Sequence, residues 1–432
     1  MLLLGLATGL ALPLSAGETL RLNLFPDREV LLRNQPQEIV VKIDLNAIAD
    51  RHKHRRTPLN LAVVLDKSGS MTGAKLEKAK QAARLLVDRL EAKDVFSLVV
   101  YSDTARVLVP AQRVEDKDDL RRKIDRIEAG GSTALYAGVN AGARQLQNYL
   151  SSQRINRVIL LSDGLANIGP SSTRDLRRLG LDLAEKGISV TTIGVGEDYN
   201  EDLMAGLAEA SDANYYFVRD TEKLPEIFAR ELGELLTVAA RDVRIEIICP
   251  DGVKPLGFIG RAEKFADQRA SVNLSQFTLG QDRCLFLRCR VTRPEPEIAR
   301  VKVSYTDELD NGSSRSTDGV VRIRYTEDPA ISDRSISAAV NAEKVLVLTA
   351  EAKDKAIALA DAGDYRQAAA TLAVQKEALS GACANAPAEV QVRIREENAN
   401  LDYFSDQLNT GGYNGASRKS LQSQSYNTRN SK

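Results

Sequence analysis

Residues 62–73 read AVVLDKSGSMTG. Four apolar residues, Ala62 to Leu65, end on Asp66, and Ser68 and Ser70 follow at i+2 and i+4. The run belongs to a longer one, LNLAVVLD (59–66), that is apolar throughout rather than alternating. Such a strand is buried on both faces, which places it inside a parallel sheet covered by helices. In sheets of that kind ligands bind at the carboxyl ends of the strands, where Asp66 stands. One carboxylate and two hydroxyls form an oxygen-only set. That chemistry suits a hard divalent cation, and Mg²⁺ prefers near-octahedral oxygen ligands and keeps some of its waters. Gly69, between the serines, is expected to ease the turn by taking a positive φ.

The surrounding pattern supports a doubly wound α/β fold. Leu76, Ala79, Ala83, Leu86 and Leu90 recur at helical spacing. VFSLVVYS (95–102) is the next buried strand, and TARVLVP (104–110) follows with so short a connection that only an antiparallel hairpin fits, making it an edge strand. RVILLSDG (157–164), ISVTTIGVG (188–196) and NYYFVRD (214–220) are further strands. Helices near 117–128, 134–152, 173–186, 201–211 and 222–237 separate or close them. Strands alternating with amphipathic helices give a mainly parallel sheet. Two of its loops carry matching oxygens: AGGSTALY (129–136) sets Thr133 just before a helix, and LLSDGLANIG (160–169) sets Asp163 at a strand end.

On these residues the chain resembles the von Willebrand factor A domain family. Asp66, Ser68, Ser70, Thr133 and Asp163 match its D-x-S-x-S…T…D set, the metal-ion-dependent adhesion site, at all five positions, and the likeness covers about 57–238. The resemblance implies that these five residues bind Mg²⁺ (or Mn²⁺ or Ca²⁺). It also implies that a carboxylate from a protein ligand completes the metal's shell. The layout as a whole is similar to bacterial exported proteins related to the inter-alpha-trypsin inhibitor heavy chain.

The flanks read differently. EIVVKIDL (38–45) lies before the α/β block; VRIEIIC, CLFLRCRV, ARVKVSY and GVVRIRY lie after it, within 241–327. Neither flank alone has strands enough for a sandwich, so the block is expected to be inserted in one. The division expected is a leader at 1–16, sandwich strands at 17–57, the A domain at 58–238, the rest of the sandwich at 239–328, helical hairpins at 329–409 and a mobile tail at 410–432. The tail is Gly-, Ser-, Asn- and Gln-rich, with little to bury. Leu2 to Leu14 is an uncharged apolar run ending near Ser15-Ala16-Gly17, the pattern of an export signal. It is shorter than the roughly 20 residues that span a bilayer, and no later segment is apolar enough to cross one. Of four cysteines, Cys284 and Cys289 fall on opposite faces of one strand and cannot pair. Cys249 with either of them is the disulfide to expect, unless all four are simply small buried hydrophobes.

Composition narrows the function. Lys plus Arg and Asp plus Glu are 59 each, there is no Trp, and aromatics are 5%. Neither a nucleic-acid surface nor a base-stacking platform follows from that. Enzyme readings fail at specific positions. A haloacid-dehalogenase-type nucleophile at Asp66 needs a second carboxylate where Ser68 stands. The two histidines, His52 and His54, lie in the basic connector DRHKHRR (50–56) and read as a solvated linker rather than a base or a metal pair. GVGEDYNEDL (194–203) lacks a phosphate-binding glycine pattern. Asp198 and Glu201 in that loop, with Tyr101 and Asp103 after the second strand, are weaker candidates for touching a partner. The expectation is therefore a non-enzymatic, exported, metal-dependent protein-binding module. The alternatives are a structural component of an envelope or surface assembly, or an accessory subunit of a channel or chelatase.

Overall fold

A computed structural model describes residues 19–49 and 56–430. The apolar leader and both histidines lie outside these residues. Three strands come first: β1 (Leu20–Pro26), β2 (Val30–Leu32) and β3 (Gln37–Ala47). The α/β block follows as β4 (Leu59–Asp66), α1 (Ala74–Arg89), β5 (Val95–Tyr101), β6 (Ala105–Arg113), α2 (Lys117–Asp125), α3 (Leu135–Gln147), β7 (Ile155–Ser162), α4 (Thr173–Ala184), β8 (Ile188–Val195), α5 (Glu201–Ala210), β9 (Tyr215–Val218) and α6 (Leu224–Leu235). Then come β10 (Val238–Ile248), β11 (Val253–Phe258), β12 (Arg269–Thr278), β13 (Asp282–Val291), β14 (Glu297–Asp307), β15 (Ser313–Arg322) and β16 (Arg324–Thr326). The chain ends in α7 (Pro329–Arg334), α8 (Ala338–Asp361), α9 (Tyr365–Cys383), α10 (Ala388–Thr410) and α11 (Gly415–Asn430).

The central sheet has the order β6-β5-β4-β7-β8-β9, all parallel except the edge strand β6. β4 and β8 are buried at every position, so alternate residues serve two cores. Leu61, Val63 and Leu65 face α1 and α6, while Ala62 and Val64 face α3. Strands from both flanks form the outer sheets, ordered β1-β3-β13-β11 and β12-β10-β14-β15, and their inner faces share one core. The chain thus leaves the sandwich after Ala47 and re-enters it at Val238. Glu308 fastens the insertion, accepting Thr57 Oγ1 and Arg241 Nε, each at 2.5 Å.

Cys249 and Cys289 are both buried in the sandwich core, and all four cysteines are free. The pair is joined by a thiol–thiol hydrogen bond that, with burial, pushes the Cys289 thiol up. Among the described residues no helix is long and apolar enough to cross a membrane.

The expected mobile tail is corrected: residues 415–430 form α11. Its order comes from tertiary contacts rather than composition. Arg418 pairs with Glu201 (2.6 Å), Asp202 (3.0 Å) and Asp361 (2.7 Å), bridging α5 and α8. Lys419 reaches Glu201 at 2.5 Å, and the Tyr426 ring stands edge-on against Tyr215.

Candidate functional site

The site forms because β4 is the middle of the fan. Its partners on either side, β5 and β7, run parallel to it, with Asp66 opposite Tyr101 and Leu65 opposite Leu161. The loops after β4 and β7 are therefore neighbours, and they carry Ser68, Ser70 and Asp163. Helix α3 supplies the third loop. Two glycines one turn apart let it ride close to the sheet: a Cβ on Gly138 would meet the Tyr101 ring at 2.7 Å, and one on Gly142 would meet Val64 at 2.5 Å. That close approach carries Thr133, just before the helix, to the end of β4.

Backbone hydrogen bonds stitch the loops together. Lys67 N–H donates to Tyr101 O (2.9 Å), Gly130 N–H to Lys67 O (2.7 Å), Gly69 N–H to Gly131 O (2.9 Å) and Ala134 N–H to Ser102 O (2.7 Å). Gly69 itself has no positive φ; residues 69–71 make a right-handed 3₁₀ turn, and the left-handed position is Gly73, at φ 84°, just ahead of α1.

The five side chains meet. Asp66 Oδ1 accepts the Ser68 N–H at 2.8 Å and Oδ2 accepts the Ser162 hydroxyl at 2.8 Å. Ser68 Oγ and Ser70 Oγ lie 3.1 Å apart, and the Ser70 hydroxyl donates to Asp163 Oδ1 at 2.7 Å. Thr133 faces the same point: a Cβ on Gly164 would lie 3.0 Å from Thr133 Oγ1 and 3.5 Å from Ser70 Oγ. Asp66 and Asp163 are fully buried, while Ser70 is exposed, so the cluster opens at the hydroxyl side. Burial pushes the Asp66 carboxyl up and Asp163 adds to this, against the hydrogen bonds from Ser68 and Ser162.

This donor set fits a hard divalent cation. Two carboxylates and three hydroxyls supply oxygen alone, the ligand type that hard divalent cations take. Among the described residues no group of three or more His, Cys, Asp or Glu is placed to hold a metal; this site has two acids, and its other three oxygens are hydroxyls.

The weaker candidates divide. Asp103 is on the rim, exposed, its carboxylate accepting Ser132 N–H at 2.9 Å; that bond holds its carboxyl below the usual range. Asp198 is exposed in the β8–α5 loop. Tyr101 and Glu201 are corrected. The Tyr101 ring is buried beneath α3, its hydroxyl donating to Leu161 O at 3.1 Å. Glu201 is buried under Arg418 and Lys419 of α11. Neither meets solvent.

Other contributors went unread in the sequence. Ser162 precedes Asp163 and orients Asp66. Asn167 holds the third loop, its Oδ1 accepting Thr133 N–H at 2.9 Å. Gly164 leaves room for Thr133. A single methyl there crowds Oγ1, so Gly164→Ala is expected to weaken divalent-cation binding about tenfold with little loss of fold stability. Calorimetric Mg²⁺ titration beside a thermal melt checks both halves.

The von Willebrand factor type A domain family matches residues 60–230. YfbK of Escherichia coli (strain K12) is 28% identical over 213 residues, 49% of this chain and 37% of YfbK. Inter-alpha-trypsin inhibitor heavy chain H4 of Homo sapiens is 28% identical over 160 residues, 35% of this chain and 17% of that protein. These matches span less than half the length of either relative. The solved von Willebrand factor type A protein from Catenulispora acidiphila shares the fold, with a TM-score of 0.69 at 20% identity over 85% of this chain and 88% of that one. Fold, strand order and the family match agree: residues 60–230 of this chain are a von Willebrand factor type A domain.

Proposed function

We propose that the chain is an exported, divalent-metal-dependent protein-binding module whose partner docks through an Asp or Glu side chain. Domains of this type are mostly non-enzymatic interaction modules, often metal-dependent. The observation that carries the proposal is the convergence of five oxygen-bearing side chains from three loops, linked through the Ser68, Ser70 and Asp163 contacts. Asp66, Ser68, Ser70, Thr133 and Asp163 would hold Mg²⁺ or a similar ion. When bound, the ion offers a Lewis-acidic position to an incoming carboxylate.

The chain's own residues do the rest. Ser162 and the Ser68 amide fix the Asp66 carboxylate. Asn167 fixes the Thr133 loop. Asp103, whose carboxylate accepts the Ser132 N–H in the Thr133 loop, and exposed Asp198, Leu165 and Ile168 in the loops after β8 and β7 would select among carboxylates. An ion alone would bind any acid weakly, so specificity falls to this rim.

A pull-down from the native envelope fraction tests the reading. Partners captured in Mg²⁺ are expected to elute with chelator and to be absent with Asp66→Ala. An identical captured set in all three conditions would refute the metal bridge. Chelator-insensitive co-purification in a large complex would favour a fixed structural subunit instead.

A further inference from the structure

One cation already lies within the site. Lys75, in the first turn of α1, places Nζ 2.5 Å from Asp163 Oδ2, while Oδ1 of the same carboxylate takes the Ser70 hydroxyl at 2.7 Å. The Lys75 side chain is 27% exposed and that of Asp163 0% exposed, so the pair links the buried floor of the site to the surface. Gly196 of the β8–α5 loop backs it; a Cβ there would lie 3.6 Å from Nζ. Lys75 is two residues beyond Gly73, whose left-handed φ of 84° turns the serine loop into α1, so one segment supplies both three of the oxygens and the competing charge.

Two neighbouring buried carboxylates repel each other unless a positive charge stands between or beside them. Here the chain supplies that charge itself. A divalent ion entering the five oxygens meets a like charge held on one of its own ligands. Either the ammonium leaves Asp163 or the two cations share it, and both weaken binding.

We propose that Lys75 is a built-in competing cation that sets the divalent-cation affinity of the site, so that occupancy follows the divalent concentration around the protein instead of being permanent. The proposal rests on the reading that Asp66, Ser68, Ser70, Thr133 and Asp163 bind a divalent ion. Lys75 then has two tasks: it keeps the paired carboxylates compensated when divalent ions are scarce, and it yields when they are abundant.

The test is calorimetric titration of the full chain with Mg²⁺ and with Mn²⁺, alongside thermal melts in chelator and in excess metal. Removing one unit charge a few ångströms away should tighten binding by about tenfold or more in Lys75→Gln, while Lys75→Arg, which keeps the charge, stays near wild type. In chelator Lys75→Gln should melt below wild type, and its gain on adding metal should be the larger. Equal or weaker binding in Lys75→Gln overturns the proposal, because Lys75 would then merely position Asp163. Binding that is lost in Asp66→Ala but unchanged in Lys75→Gln removes the lysine's role and leaves the site standing; no binding in any variant removes both. The ¹⁵Nζ signal of Lys75 in the wild-type chain gives a readout free of mutation: it should shift as metal is added, and a signal that stays fixed through saturation counts against displacement.

Discussion

Replacing Tyr426 by alanine is expected to cost about 3–5 kcal/mol in the opening of the β9 edge, the range for removing a large buried aromatic. The side chain is 2% exposed, its ring stands 5.7 Å from that of Tyr215 at 80°, and its hydroxyl donates to Ala213 O at 2.5 Å. The loss comprises apolar burial, an edge-on aromatic contact and one buried hydrogen bond. Arg418 and Lys419 would still hold the other end of α11 to Glu201, so the helix should loosen at its C-terminal half first. Hydrogen exchange resolves this, since a chain of several domains need not unfold in one step. Protection should fall in β9, α5 and 420–430 and persist in β4 and β7. Unchanged exchange in β9 would mean that α11 is not part of the domain's wall.

Asp66→Ala is expected to reduce divalent-cation affinity by at least about a hundredfold, since it removes one of two anionic ligands and the acceptor that anchors the serine loop. The Ser68 N–H and the Ser162 hydroxyl lose their shared partner. Two donors left in a fully buried position cost about 1–3 kcal/mol each unless water reaches them. Part of that is recovered, because burial and the Asp163 charge already disfavour the Asp66 carboxylate. The sheet should survive: β4 keeps its parallel partners on both sides and a core that does not include Asp66. Far-ultraviolet circular dichroism should match wild type while the Mg²⁺ titration is flat. A variant that titrates normally would show that Asp66 is not a ligand.

What could be read in the chain was what is written locally. Residues 59–66 declare a doubly buried strand, and the i, i+2, i+4 oxygens declare a turn around something cationic. Thr133 and Asp163 follow once helix and strand ends are placed, because parallel strand order brings those loops together. The positions misread depend on partners distant in sequence. Residues 415–430 are polar and looked unable to fold; their order comes from acids at 201, 202 and 361 and from the aromatic wall of β9. That one omission misplaced a second residue, since Glu201 looked like loop surface only while α11 was missing. Tyr101 ends a strand at the ligand edge, yet its ring turns under Gly138, a position where only a glycine fits. Lys75 lies in a helix's first turn, and nothing in the neighbouring sequence announces that it leans onto Asp163.

The claim on which the rest depends is that three loops surround one divalent ion. Mn²⁺ titration observed by amide NMR tests it most directly, because a bound paramagnetic ion erases the signals nearest to it. Signals from 66–70, 131–135 and 162–165 should broaden together and be lost by one equivalent of Mn²⁺, with α8, α9 and the sandwich strands unaffected until excess. Broadening that starts at surface acids such as Asp118 and Asp119, or that reaches the serine loop but spares Thr133 and Asp163, would contradict it.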